Sequence, residues 1–100
     1  MRYEVGEEVM LHPVTRVEID EAVGEYQDIS AEEARYWNTF LRNKHPDGVT
    51  GRILYAHAAR ISAVPYRVEL VDAYLPCCIV YVNEINVRPI RKQLNLEVMV

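Results

Sequence analysis

The sequence has few of the residues that would mark a secreted or membrane-spanning chain. Its only two cysteines, Cys77 and Cys78, are adjacent. Neighbours on a strand point to opposite faces, so these two are poorly placed to bridge to each other, and they do not form a spaced disulfide framework. No apolar run approaches the ~20 residues that cross a bilayer, and residues 1–8 lack the apolar segment of a signal peptide. We therefore expect a cytoplasmic protein without membrane contact.

Signatures of catalysis and of cofactor binding are also missing. The three histidines, His12, His45 and His57, have no second ligand at metal-binding spacing. Gly48 and Gly51 precede a predicted strand, whereas a phosphate-binding loop needs a helix there. No serine or cysteine stands in a nucleophile motif with a base and an orienting group. We expect no enzyme activity, no cofactor and no metal.

Acidic residues are concentrated in the first third of the chain. Residues 1–34 contain ten acidic and two basic side chains, whereas residues 35–100 contain five acidic and nine basic ones. Such a field repels nucleic acid and speeds association with a basic surface, although a solvated acidic face also serves solubility alone. The candidate partner-binding acids are Glu18, Asp20, Glu21, Glu25 and Asp28.

Tyrosine is frequent, with seven tyrosines beside one phenylalanine and one tryptophan. Tyrosine and tryptophan are enriched where apolar surface meets water, which is where partners bind. The alternative is that tyrosines on strands fill the sheet and leave their hydroxyls at its rim. Tyr26, Tyr36 and Tyr74 join the acids as candidate partner-binding residues.

Alternation of apolar and polar residues predicts mostly strands. The predicted strands cover residues 8–12, 15–20, 49–58, 66–70, 77–82, 87–90 and 94–100. The run from 77 to 82 is almost wholly apolar, which is typical of a central strand covered on both faces. One helix is predicted, starting from a capping box at Ser30 and Glu33 and ending near Asn43, with Trp37, Phe40, Leu41 and the stem of Lys44 on one stripe.

Several of these strands resemble those of small SH3-like barrels, the group that includes KOW and Tudor-type domains. The resemblance is carried by Val5-Gly6-Glu7-Glu8-Val9-Met10-Leu11, Gly48-Val49-Thr50-Gly51-Arg52-Ile53-Leu54, Tyr66-Arg67-Val68-Glu69-Leu70, and the run from Val82 to Ile90. It covers residues 3–12 and 48–90. It implies one mainly β domain over residues 1–100 with a single helix, in an SH3-like barrel. The helix would lie in an insertion (13–47) between the first and second strands, and an extra strand (91–100) would follow the barrel.

Taken together, these features predict a non-enzymatic protein-interaction module whose partner has a basic surface. Small acidic chains of this kind include phage or mobile-element accessory proteins and inhibitors. Three alternatives stay open: a nucleic-acid-associated KOW-like domain using Arg88, Arg91 and Lys92, an acidic mimic of nucleic acid, and an accessory subunit of an enzyme complex. The net charge of −4 makes nucleic-acid binding the less favoured alternative.

The end of the chain predicts self-association. Leu94, Leu96, Val98 and Val100 alternate with polar residues beyond the apparent end of the barrel. An unpaired strand with four aliphatic side chains is an aggregation hazard and must be covered. We expect it to pair within the chain or, preferentially, with a second copy in a two-fold homodimer.

Overall fold

A computed structural model describes residues 3–57, 61–71 and 78–90. Within these residues the chain forms five strands and two helices. In chain order they are β1 (Glu8–Leu11), α1 (Arg16–Ala22), α2 (Ile29–Lys44), β2 (Val49–Ala56), β3 (Tyr66–Leu70), β4 (Ile79–Val82) and β5 (Val87–Pro89), with a 3₁₀ turn at Glu84–Asn86 before β5. Tyr74 and the predicted strand over 94–100, with its dimer contact, lie outside the described residues.

The strands form one antiparallel sheet in the order β4-β3-β2-β1-β5. In the registers, Val9 lies opposite both Gly51 and Pro89, and Arg67 lies opposite Tyr81. The edge strands β4 and β5 do not pair with each other within the described residues. The predicted closed SH3-like barrel is therefore wrong, and the fold is an open five-stranded sheet combined with two helices.

The sheet stays open because a helix, and not strand closure, covers its apolar face. The main core joins Val9 and Leu11 of β1 to the inward residues of the other strands, and Leu41 of α2 is fully buried in it. Trp37 and Phe40 of α2 pack against the same core. A helix packed on one face of a sheet buries the apolar side chains of that face in a two-layer fold, so the strands need not close into a barrel to bury them.

A second, smaller cluster fills the space between the two helices. It contains Ile19 of α1, Val23 just after it, and Ala31 and Ala34 of α2. Val14, Ala63 and Val64 complete it from the loops. The small alanines allow α1 to approach α2 closely, so this cluster fixes the position of the short α1.

The predicted strand over 15–20 is wrong, because the segment forms α1. Thr15 is its N-cap: the Thr15 hydroxyl accepts from the Glu18 amide at 3.1 Å, and the Glu18 carboxylate accepts from the Thr15 amide at 2.9 Å. This is a complete capping box. Ile19 faces the core at 2 % exposure while Val17 is 65 % exposed, which matches a helical and not an alternating arrangement.

The predicted helix is confirmed as α2, but its N-cap lies two residues before the predicted one. Asp28 is the N-cap, and its carboxylate accepts from the Ser30 amide at 3.1 Å and from the Ser30 hydroxyl at 2.7 Å. The helix ends at Lys44, close to the predicted end. Lys44 is exposed.

The strand prediction for 66–70 is confirmed, and the strands near 8–12, 49–58 and 87–90 are confirmed with shorter bounds. The expected central strand is wrong, since β4 lies at an edge of the sheet and its Ile79 is 38 % exposed. No helix within the described ranges is both long and apolar enough to cross a membrane.

Candidate functional site

The most distinctive surface of the molecule is built around Arg67 on β3. A register irregularity in β2 between Ile53 and Tyr55 places Tyr55 opposite Arg67, while β4 places Tyr81 opposite it on the other side. The Arg67 guanidinium carbon consequently lies 5.5 Å from the ring centroid of each of these two tyrosines. Both separations are within the ~6 Å range of cation–π attraction.

Arg67 is exposed and forms no ion pair with another residue that the structure describes. Ion pairs within the described residues involve Asp20, Glu8 and Glu69 but not Arg67. Because the two rings interact with the guanidinium without accepting its N–H groups, the hydrogen-bonding edge stays available to a planar acceptor such as a carboxylate.

A small groove of about 190 Å³ adjoins this arginine where β2, β3 and β4 meet the first turns of α2. Besides Arg67 and the two tyrosines, its walls are formed by Ser30, Glu33, His57, Ser62 and Val64. The His57 ring packs edge-on against Tyr55 with centroids 4.6 Å apart. The groove therefore combines aromatic and hydroxyl groups with one cationic side chain, Arg67, and one anionic side chain, Glu33.

Two exposed isoleucines are next to groove residues in the sequence, and one exposed tyrosine reaches Tyr81 through Trp37. Ile29 and Ile61 are 73 % and 68 % exposed, and each is the chain neighbour of a groove residue, Ser30 or Ser62. Tyr36 is 63 % exposed and packs edge-on against Trp37, which in turn contacts Tyr81 at 6.4 Å between centroids. We define the tyrosine–arginine surface as Tyr55, His57, Arg67 and Tyr81 together with Ile29, Tyr36 and Ile61.

The predicted acidic residues are divided among different parts of the surface. Glu18 and Glu21 line a groove of about 640 Å³ together with Glu84 and Arg88. Asp20 faces the opposite side of α1, where it accepts from Arg35 Nε at 2.9 Å. The structure thus brings Glu18 and Glu21 together and separates Asp20 from them.

The remaining predicted site residues lie between and at the start of the helices. Glu25 is exposed in the turn after α1, and Tyr26 is half-buried against the second cluster. Asp28 caps α2, and its hydrogen bond from the Ser30 hydroxyl lowers the pKa of its carboxyl. Tyr36 is the one predicted residue that belongs to the tyrosine–arginine surface.

Local hydrogen bonds lower the pKa of two carboxyl groups at the starts of the helices, Glu18 and Asp28. The Thr15 amide lowers the pKa of Glu18, with a further contribution from the Thr15 hydroxyl and a weaker one from the charge of Arg88. Both carboxylates therefore stabilise the first turns of their helices. No group of three or more His, Cys, Asp or Glu in the described part of the chain could hold a metal ion.

Sequence reasoning missed the role of Arg67. The signal was present in the alternating run Tyr66 to Leu70, which predicts that Arg67 points away from the core. Its two tyrosine neighbours depend on the registers of β2 and β4, and no local pattern encodes those. Comparisons of the chain with protein-family models, with curated proteins and with solved structures found no match.

Proposed function

We propose that this chain is a non-enzymatic protein-interaction module that contacts its partner through the tyrosine–arginine surface. The observation that carries the proposal is the exposed Arg67 guanidinium, which lies over Tyr55 and Tyr81 and has no ion-pair partner among the described residues. We place the activity in the cytoplasm, as expected from the sequence.

The residue types of this surface are those that dominate binding energy at interfaces. Tyrosine, tryptophan and arginine are enriched among hot spots, and these cluster in well-packed patches. Two tyrosine rings hold Arg67 in place before any partner arrives, which reduces the conformational entropy lost on binding. Ile29 and Ile61 add apolar area that a partner would remove from water.

The experiment is affinity capture with the full chain from the source cell, followed by titration of the purified partner. Arg67→Ala is expected to weaken binding by a factor of about 30 or more, as for a hot-spot residue. Arg52→Ala is the matched control, because Arg52 is a strand arginine that forms ion pairs with Glu8 and Glu69. Equal affinities of the Arg67 variant and the unaltered chain would rule out this surface.

The groove of about 640 Å³ beside α1 offers a second contact for a basic region of the same partner. Glu18 and Glu21 share this groove with Glu84, and several exposed carboxylates together raise association rates in a salt-sensitive manner. We expect Glu21→Gln to slow association at low salt and to reduce its dependence on salt. An association rate that does not change with salt would remove the acidic residues from the interface.

A further inference from the structure

Two adjoining grooves between the helices gather arginines from three elements. The first, about 480 Å³, is lined by Arg16 of α1 and by Arg35 and Arg42 of α2. The second, about 400 Å³, is lined by Arg16, Arg42 and Arg88 of β5. Since both grooves share Arg16 and Arg42, they form one path across the junction of the helices, which we call the arginine grooves.

The carboxylates in these grooves are already engaged. Asp20 accepts from Arg35, and Glu18 accepts from the Thr15 amide in the capping box of α1. Arg88 donates to the Ile85 carbonyl at 2.7 Å. Arg16 and Arg42 form no ion pair with any residue of the described ranges.

A concentration of cations is unexpected on a chain with a formal charge of −4. Four arginines face two carboxylates in the arginine grooves. Arg16 and Arg42 come from different helices, and Asn38 at the base of the first groove is buried and hydrogen-bonded to Val14 and Asn86. The hydrogen-bonding groups of Asn38 are therefore already used within the fold, and a ligand would be bound by the arginine side chains.

We infer that the arginine grooves bind an acidic segment of a partner protein, with carboxylates at Arg16 and Arg42. Arginine is suited to this because its planar fork matches a carboxylate with two hydrogen bonds. A peptide can place carboxylates about 7 Å apart on alternate residues and neutral residues opposite Glu18 and Asp20. A nucleic-acid backbone carries a phosphate at every nucleotide and would meet those two carboxylates with repulsion.

This inference concerns a different surface from the tyrosine–arginine surface, so either can fail without the other. The probe is a fluorescently labelled six-residue peptide of alternating glutamate and serine, titrated against the full chain at low ionic strength. Saturable binding is expected. Raising the ionic strength from about 0.01 M to about 0.15 M, which shortens the screening length from about 30 Å to about 8 Å, should weaken it by about tenfold or more.

Variants assign the site. Arg16→Gln with Arg42→Gln should weaken binding of this peptide by about tenfold, and Arg42→Lys should give an intermediate loss because it keeps the charge without the fork. Arg52→Gln, which removes an arginine outside the grooves, should bind as the unaltered chain does. Thermal unfolding checks that each variant is folded.

Three results would overturn the inference. They are the absence of saturable binding of the alternating peptide at low salt, equal binding by the Arg16/Arg42 double variant and by Arg52→Gln, and tighter binding of a ten-residue oligothymidylate that displaces the peptide. The last result would assign the grooves to nucleic acid. None of the three bears on the experiment with Arg67→Ala.

Discussion

Asn38 connects three parts of the molecule that are distant in sequence. Its side-chain oxygen accepts from the Val14 amide and from the Asn86 side chain, both at 2.9 Å, and its side-chain nitrogen donates to the Val14 carbonyl at 3.1 Å. Asn86 also donates to the His12 carbonyl at 2.9 Å. This buried network ties the segment after β1 to α2 and to the 3₁₀ turn before β5.

Replacing Asn38 should therefore destabilise the fold more than its size suggests. Asn38→Ala leaves the Val14 amide and the Asn86 side chain without their partner, and each buried unsatisfied group costs about 1–3 kcal/mol. We expect a loss of about 2–4 kcal/mol in the free energy of unfolding, measured by urea denaturation. Asn43→Ala, at an exposed position of the same helix, is the control. Equal midpoints for the two variants would show that the network adds no stability.

Single residues were predictable where a pattern repeats and unpredictable where partners are distant. Leu41 stands in an apolar stripe, so its burial follows from helical spacing. Asn38 lies on the buried face of the same helix, but as a polar residue it breaks the apolar pattern that marks a core position. Its partners Val14 and Asn86 are 24 and 48 residues away, and only the tertiary structure brings them within reach.

At the scale of elements, α1 shows how two valid local signals can conflict. Residues 15–20 alternate in polarity as a strand does, yet Thr15 and Glu18 also form the Thr-x-x-Glu spacing of a capping box. Tertiary packing decides, because Ile19 and Val23 lie four residues apart and both reach the second cluster. As a strand, the segment would have placed Val17 on the same face as Ile19, whereas Val17 is 65 % exposed and Ile19 is buried.

The capping box of α1 should make stability depend on pH. The pKa of Glu18 is lowered in the folded chain from its ordinary value of 4.5, so its contribution is complete above that pH and is lost as the pH falls through the lower, folded value. Unaltered protein should therefore lose stability more steeply than Glu18→Gln does as the pH falls below 4.5. Glu25→Gln, outside the box, is the control, and parallel curves for Glu18→Gln and the unaltered chain would contradict the assignment.

The two adjacent aromatic residues of α2, Tyr36 and Trp37, should contribute unequally to the stability of the fold. Trp37 packs on the main core and contacts Phe40 edge-on at 5.4 Å, whereas Tyr36 is 63 % exposed. Because Trp37 is half-buried, Trp37→Ala should cost about 2 kcal/mol, roughly half the value for a fully buried ring. Tyr36→Ala should cost less than about 1 kcal/mol. Both are measured by urea denaturation followed by circular dichroism, and equal losses would place the two rings in equivalent environments.

At the scale of the whole molecule, alternation of apolar and polar residues predicted most of the strands. It did not predict whether the sheet closes into a barrel or stays open under a helix. Short strands with one apolar face can close on themselves or lie under a helix, and both arrangements satisfy the same pattern. The choice depends on whether the long connection between β1 and β2 supplies a covering layer. Here it does, since Leu41, Trp37 and Phe40 of α2 all reach the main core.

The two apolar clusters should nevertheless unfold as one unit. Trp37 packs against the main core and touches Tyr81, which packs against the second cluster. Trp37 is the only tryptophan, so its fluorescence reports on the main core. Val23 is fully buried in the second cluster, and Val23→Ala should cost about 1–3 kcal/mol through the cavity it leaves.

If the clusters are coupled, Val23→Ala lowers the unfolding midpoint seen by Trp37 fluorescence and by circular dichroism equally, because a cooperative domain has one transition. Glu25→Ala, exposed in the turn after α1, should leave both midpoints unchanged. A Val23 variant whose fluorescence transition stays in place while its circular dichroism transition moves would mean that the helical part melts separately. In that case the chain would comprise two folding units and not the single domain expected over residues 1–100.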